Sequence, residues 1–264
     1  MKTQIRKTLA VGSILVLALL ATGCSSGGGG DADFADAETV SQTIPFSGQS
    51  LTIDAGTTDL IVASGGSDGI KIDRQIAGTA NGESPKVTEA LDGDALHLSV
   101  DCNGLALGCE GRFTVTVPDG VAVVAQNKNG LITVSGFSAD LTVSAVDGRA
   151  ELAQISSQTL ALTGKDMDVK GTGLSAKTVT TDTRNGDIDL TFSDAPDRVE
   201  VNSNDGNVSL ALPDTEYRVD VTTQKGDNAA SRPQPESVTH LALVRRRAGG
   251  AGVAGAAPPP EDGG

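Results

Sequence analysis

The chain has 264 residues, with 20 Lys and Arg against 34 Asp and Glu for a net charge of −14, and only 2% of its residues are aromatic. Binding to a phosphate backbone needs a basic patch, so this charge balance excludes a nucleic-acid partner. The absence of Trp and the presence of 33 Gly exclude a wide core built on ring volume and point to a thin one of Val, Ile, Leu and Ala.

Residues 1–23 read as a signal peptide: Lys2, Arg6 and Lys7 precede an apolar run from Leu9 to Leu20, and the small residues Ala21, Thr22 and Gly23 follow. The run is shorter than the ~20 residues a spanning helix needs. Leu20-Ala21-Thr22-Gly23-Cys24 resembles the lipobox of bacterial lipoproteins, with Ala21 where Leu is commoner. That resemblance implies cleavage before Cys24, fatty acylation of Cys24 (diacylglycerol and palmitate-type chains), and a lipid anchor on the extracytoplasmic face of a bacterial cell membrane. Loss of the signal peptide would leave −17 on the mature chain. Residues 24–38 combine the lipidated Cys24 with SSGGGGDADFADAE, which has no apolar period and is expected to be a flexible tether.

Residues 39–243 are expected to form one β-strand-repeat domain. In its front part Leu51-Thr52-Ile53, Asp59-Leu60-Ile61-Val62, Gly69-Ile70-Lys71-Ile72, Leu96-His97-Leu98-Ser99-Val100 and Phe113-Thr114-Val115-Thr116-Val117 alternate as strands do, bounded by Gly, Asp and Pro. They read as the start of one sheet system that caps the first coil. Cys102 and Cys109 lie between the last two runs, and in an oxidising compartment they read as a disulfide stapling a hairpin tip. Closing so short a loop is worth about 2.5 kcal/mol on chain-entropy grounds. Two thiols with no His nearby cannot supply four zinc ligands, and their spacing is not that of a Cys-x-x-Cys redox pair.

From residue 127 one phrase recurs: NKNGLITV, AVDGRAEL, the looser TGKDMDV, NGDIDL, DGNVSL and QKGDNAA. Its turn glycines, Gly130, Gly148, Gly164, Gly186, Gly206 and Gly226, are separated by 18, 16, 22, 20 and 20 residues, a drifting period of about 19. Asn-Gly and Asp-Gly form tight turns because Gly accepts positive φ and Asn or Asp tolerate it. A second alternating run lies between successive turns: Leu141 and Val143, Leu160 and Leu162, Val179 and Thr181, Val199 and Val201, Val219 and Val221. A meander of hairpins would satisfy the alternation, but even spacing of one turn type favours a coil. The expected fold is therefore all-β, a single-domain β-solenoid or β-helix-like stack whose rungs bury their apolar faces against their neighbours. Val199, Val201, Val208 and Leu210 should then lie over Val179, Ile188 and Leu190 and beneath Val219 and Val221. Residues 244–264 begin with Val244-Arg245-Arg246-Arg247 and continue as a Gly-, Ala- and Pro-rich stretch, which reads as a disordered tail.

The repeated Asn/Asp-Gly phrase, the segment DGNVSLALPDTEYRVDVTTQKGD, and a lipobox with a polar tether together resemble the putative-adhesin family, β-strand-repeat envelope proteins that include a domain of unknown function. The resemblance spans roughly residues 45 to 230. It implies a β-helical domain outside the cytoplasm and carries over no catalytic residues.

Little in the chain suggests chemistry, and no enzyme is expected. There is no Gly-x-Ser-x-Gly elbow, His-Glu-x-x-His pair or phosphate loop, and alternation turns His97 outward, with His240 read the same way. Asp187 and Asp189 could pair as glycosidase carboxylates do, but the chain lacks aromatics to stack on a sugar. Asp182, Asn185, Asp187 and Asp189 surround one turn, and Asn202, Asn204, Asp205 and Asn207 surround the next. Such oxygens suit Ca²⁺, yet tight turns use the same residues without metal, so no cofactor is expected and calcium is the weaker reading. The expected function is a membrane-anchored lipoprotein with a non-catalytic, adhesin-like binding domain whose partner is an envelope protein or glycan. The alternative is an accessory or sensory lipoprotein that supports a membrane signalling or transport partner.

Overall fold

The computed structural model describes residues 34–66, 69–79, 85–102, 107–214, 217–221, 237–238 and 241–246. The signal peptide, Cys24, Gly226, His240 and residues 247–264 lie outside the described residues. The described residues form strands and no helix: β1 (Thr39–Ile44), β2 (Ser50–Asp54), β3 (Asp59–Ser64), β4 (Ile70–Thr79), β5 (Lys86–Asp92), β6 (Ala95–Asp101), β7 (Leu107–Val117), β8 (Ala122–Asn127) and β9 (Leu131–Ser135) in the first half. The second half continues with β10 (Leu141–Ala153), β11 (Thr159–Leu174), β12 (Thr178–Asn185), β13 (Ile188–Phe192), β14 (Arg198–Asp205), β15 (Val208–Ala211), β16 (Tyr217–Val221), β17 (Ser237–Val238) and β18 (Leu241–Arg246).

Alternation builds the strands. In β12, Val179, Thr181 and Thr183 are buried while Thr180, Asp182 and Arg184 are exposed, and β13 repeats the pattern with Ile188, Leu190 and Phe192 inside. Each Val or Leu so enclosed contributes about 1.5–3 kcal/mol. No rung can enclose its own apolar side, so the strands stack in parallel. Asn127 lies beside Ala145, then Gly164, Thr183 and Ser203 in one hydrogen-bonded column, one residue from each successive rung. The fold is a β-solenoid, and from β8 to β15 contacts between neighbouring rungs join positions 18 to 20 apart in the chain.

Along the stack the rungs are β6 with β7, β2 with β3, β8 with β9, β10, β11, β12 with β13, and β14 with β15. One broad sheet takes the first strand of each rung and the other takes the second. The first two rungs are out of chain order. After β3 the chain leaves for β4 and β5, returns to lay β6 and β7 on the far side of β2 and β3, and only then crosses to β8. The front segment therefore supplies two full rungs as well as a cap. The cap is antiparallel: β4 runs against β7, β1 against β4, and β5 against β6.

Cys102 and Cys109 are joined by a disulfide with Cα atoms 6.2 Å apart. It does not staple a hairpin: β6 pairs with β2 and β5, β7 with β3 and β4, and the bridge spans the corner between the two sheets.

The other end also differs from the sequence expectation. β18 runs antiparallel between β14 and β16, setting Val244 against Val199 on one side and Val219 on the other. β17 closes β15 in the same way, with Val238 opposite Val208. Val219 and Val221 therefore do not stack on Val199 and Val201. Val244, Arg245 and Arg246, assigned by composition to the disordered tail, belong to a closing strand. A parallel rung always presents a further open edge, and reversing the strand direction ends the repeat.

Candidate functional site

Two corners run the length of the stack. At the first, Gly130, Gly148, Gly186 and Gly206 all have positive φ, from 118° to 136°. In the rung between Gly148 and Gly186 the glycine expected from spacing was Gly164, but register places Met167 beside Gly148. Met167 is fully buried, and Gly164 makes room for it: a Cβ on Gly164 would lie 2.6 Å from the Cβ of Met167. At the second corner Gly136, Gln154 and Gly173 share the left-handed conformation, with φ of 73°, 56° and 64°.

Acids cluster at the first corner, and several of their oxygens are engaged along the stack. Asp147, Asp166, Asn185 and Asp205 form one column in register. Asn185 Nδ2 donates to Asp166, and Lys165 Nζ lies 2.8 Å from the same carboxylate. The hydrogen bond from Lys165, then that from Asn185, holds the Asp166 carboxyl below the usual range, and Asp166, then Asp147, holds the Lys165 ammonium above its own. In a second column Asp168 Oδ1 accepts the Asp187 N–H at 3.0 Å, and Asp187 Oδ1 accepts the main-chain N–H of Asn207 at 2.8 Å and its side-chain amide at 3.1 Å. Asp59 accepts the Leu131 N–H at 3.0 Å and Asp140 the Thr159 N–H at 2.9 Å. Asp59, Asp140, Asp168 and Asp187 each reach one rung forward to a main-chain donor, and Asp166 to a side-chain amide, stitching neighbouring rungs together.

The four calcium candidates divide accordingly. Asn185 and Asp187 flank Gly186 at the corner, while Asp182 projects outward from β12 and Asp189 outward from β13, on the two different sheets. Among the described residues no three His, Cys, Asp or Glu side chains gather as a metal would require. His97 is exposed on β6. Sequence reading missed Asp59, Asp140, Asp166 and Asp168 as stitching residues. The recurrence of Asp or Asn at 147, 166, 185 and 205, and at 168, 187 and 207, is the signal that could have found Asp166 and Asp168; no such recurrence marks Asp59 or Asp140.

A further contact lies at the first residues of the folded body. Phe34, inside the segment read as tether, is buried, and the Arg112 guanidinium stacks over its ring 4.0 Å from the centroid. Arg112 also meets Asp59 at 3.4 Å. Composition conceals this clasp because it rests on one aromatic among polar and small residues.

The outer faces are ordered by the same register. On the first sheet Thr142, Ala161, Thr180 and Glu200 form a row across four rungs, and on the second Glu151, Lys170, Asp189 and Ser209 form another.

A two-faced parallel solenoid with glycine corners, carboxylate stitches and antiparallel ends defines a class of stacked β-repeat domains. Within that class, residues 119–242 match the family model described as Toastrack DUF4097. The family resemblance read from the repeated phrase thus holds. Among solved structures the chain is similar to a putative cell adhesion protein from Clostridium sporogenes, at 11% identity over 62% of this chain and 76% of that one, with a TM-score of 0.34. It is also similar to putative adhesins from Parabacteroides distasonis (10% identity, 67% and 79% covered, TM-score 0.33) and Parabacteroides merdae (13%, 67% and 78%, 0.27). No curated protein matches the chain.

Proposed function

We propose that the chain is a lipid-anchored, extracytoplasmic binding module that holds an extended or repetitive envelope partner, a protein or a glycan, against its broad faces without catalysing a reaction. The supporting observation is the in-register row: four rungs place Thr142, Ala161, Thr180 and Glu200 at one strand spacing, about 4.8 Å, from one another. A partner extended along the stack meets side chains at one regular spacing, so weak single contacts add up along the row. The lipobox ending at Cys24 supports the anchor, and the stitching role of the corner acids accounts for them without catalysis.

A photo-crosslinking residue at Thr180, in intact cells, should capture one discrete partner, and one at Asp119, in a turn off the rows, should not. Crosslinks that are absent or equal at both positions would sink the binding reading. Cys24→Ser should move the protein from the membrane to the soluble fraction, and unchanged membrane retention would remove the lipid anchor. Turnover of an envelope glycan by the purified protein that disappears in Asp187→Asn or Asp189→Asn would replace binding with catalysis.

A further inference from the structure

At the N-terminal end the two broad sheets stop on different strands. One ends on β5, which pairs with β6, and the other on β1, which pairs with β4; no other described strand lies beside either. β5 reads KVTEALD and carries Lys86, Glu89 and Asp92, the kind of charged edge that resists strand pairing. β1 reads TVSQTI, with no charge, no Pro and four β-branched residues. Its inner row is Val40, Gln42 and Ile44. Gln42 Nε2 donates to Glu89 Oε2 at 2.6 Å, Glu89 holds Arg74 at 2.8 Å, and Ile44 packs against the core. Val40 ends this row and is 44% exposed, one of the two large apolar side chains left exposed among the described residues.

We propose that β1 is a self-association edge to which a second copy of the chain adds its own β1 antiparallel. A two-fold axis perpendicular to the sheet requires opposed residues to share a face, which is met with Gln42 opposite Gln42. In that register Val40 of one copy lies against Ile44 of the other, and the reverse contact is made by symmetry. The exposed end of the inner row is thereby covered twice, and the sheet continues from one solenoid into the next. Charge favours a second copy meeting at this place: a chain of net charge −14 repels itself over much of its surface, whereas the β1 strip brings no charged side chain to the seam. A six-residue seam is small beside the surface of a stable dimer, so the association is weak and concentration-dependent. The proposal goes beyond the binding role and does not depend on it.

Sedimentation velocity of the full chain across the micromolar range tests it. The expected result is a reversible monomer–dimer equilibrium, weakened about tenfold or more by Val40→Lys, which places an ammonium against Ile44 of the other copy. Gln158→Lys, exposed in the connection between β10 and β11, should leave the equilibrium unchanged, and equal melting temperatures would show that both variants fold. A chain monomeric throughout the range, including one whose edge is held by a different protein, would overturn the proposal. So would a dimer that Val40→Lys leaves intact.

Discussion

Gly206 has no room for a side chain. A Cβ there would lie 2.2 Å from the carbonyl oxygen of Gly186, and φ is 136°. Gly206→Ala should therefore combine backbone strain with a main-chain clash and cost at least ~3 kcal/mol. Gly120 also has positive φ, 82°, but nothing lies within 4 Å of its would-be Cβ, so Gly120→Ala should cost only ~1 kcal/mol of strain. Chemical denaturation of both variants checks the pair, and equal costs would show that close stacking of the corners is not what selects glycine. Charge at the same corner makes a pH prediction. The carboxyl pKa of Asp166 is depressed, first by the hydrogen bond from Lys165 and then by that from Asn185. A depressed carboxyl contributes stability above its unfolded pKa and loses it as pH falls through the folded value. The gap in melting temperature between the native chain and Asp166→Asn should thus narrow as pH drops through and below the ordinary carboxylate range, and it should shrink with salt because the group is exposed. A gap constant with pH would remove ionisation from the account of this corner.

At the scale of an element, β15 shows what a rung needs. Val208 is fully enclosed beside Ile188 of the preceding rung, while Ser209 faces outward beside Asp189. Val208→Asp should cost about 3 kcal/mol or more, since it buries a charge with no partner. Ser209→Asp should cost within about 1 kcal/mol, mostly from repulsion by Asp189 on the adjacent strand. Similar costs at the two positions would contradict the alternation. Leu210, expected to be buried with Val208, is only half-buried, because β15 ends at Ala211 and the enclosure loosens there. Alternation, the turn phrase and the coil were legible in single strands, since a residue's face follows from its parity. The strands that pair with a given one were not legible, because parity says nothing of partners.

For the whole molecule the ends decide stability. Deleting residues 237–264 removes β17 and β18, strips β14 and β15 of their antiparallel partners and leaves β16 unpaired. The shortened chain should melt at lower temperature and associate through the opened edges, as light scattering would report. Deleting only residues 247–264 should leave melting unchanged. If the longer deletion behaved like the shorter, β18 would not be the closing strand. The sequence boundary of the tail at residue 244 is replaced by one at the end of β18.

The sequence by itself determined the repeat and its approximate length and the all-β class, because these follow from local rules: parity within a strand and positive φ at a turn. It also carried the Cys102–Cys109 pair and the outward His97. Only the tertiary structure decided that Met167 stands where a glycine was expected, since register is set by neighbours on both sides and drifts along the stack. It alone put β6 and β7 beyond β2 and β3, against chain order, and slid β18 between β14 and β16. It also drew Phe34 out of a polar segment onto Arg112. Each of these choices joins residues far apart in the chain, and the free energy of such contacts depends on which surfaces remain uncovered once the rungs have stacked.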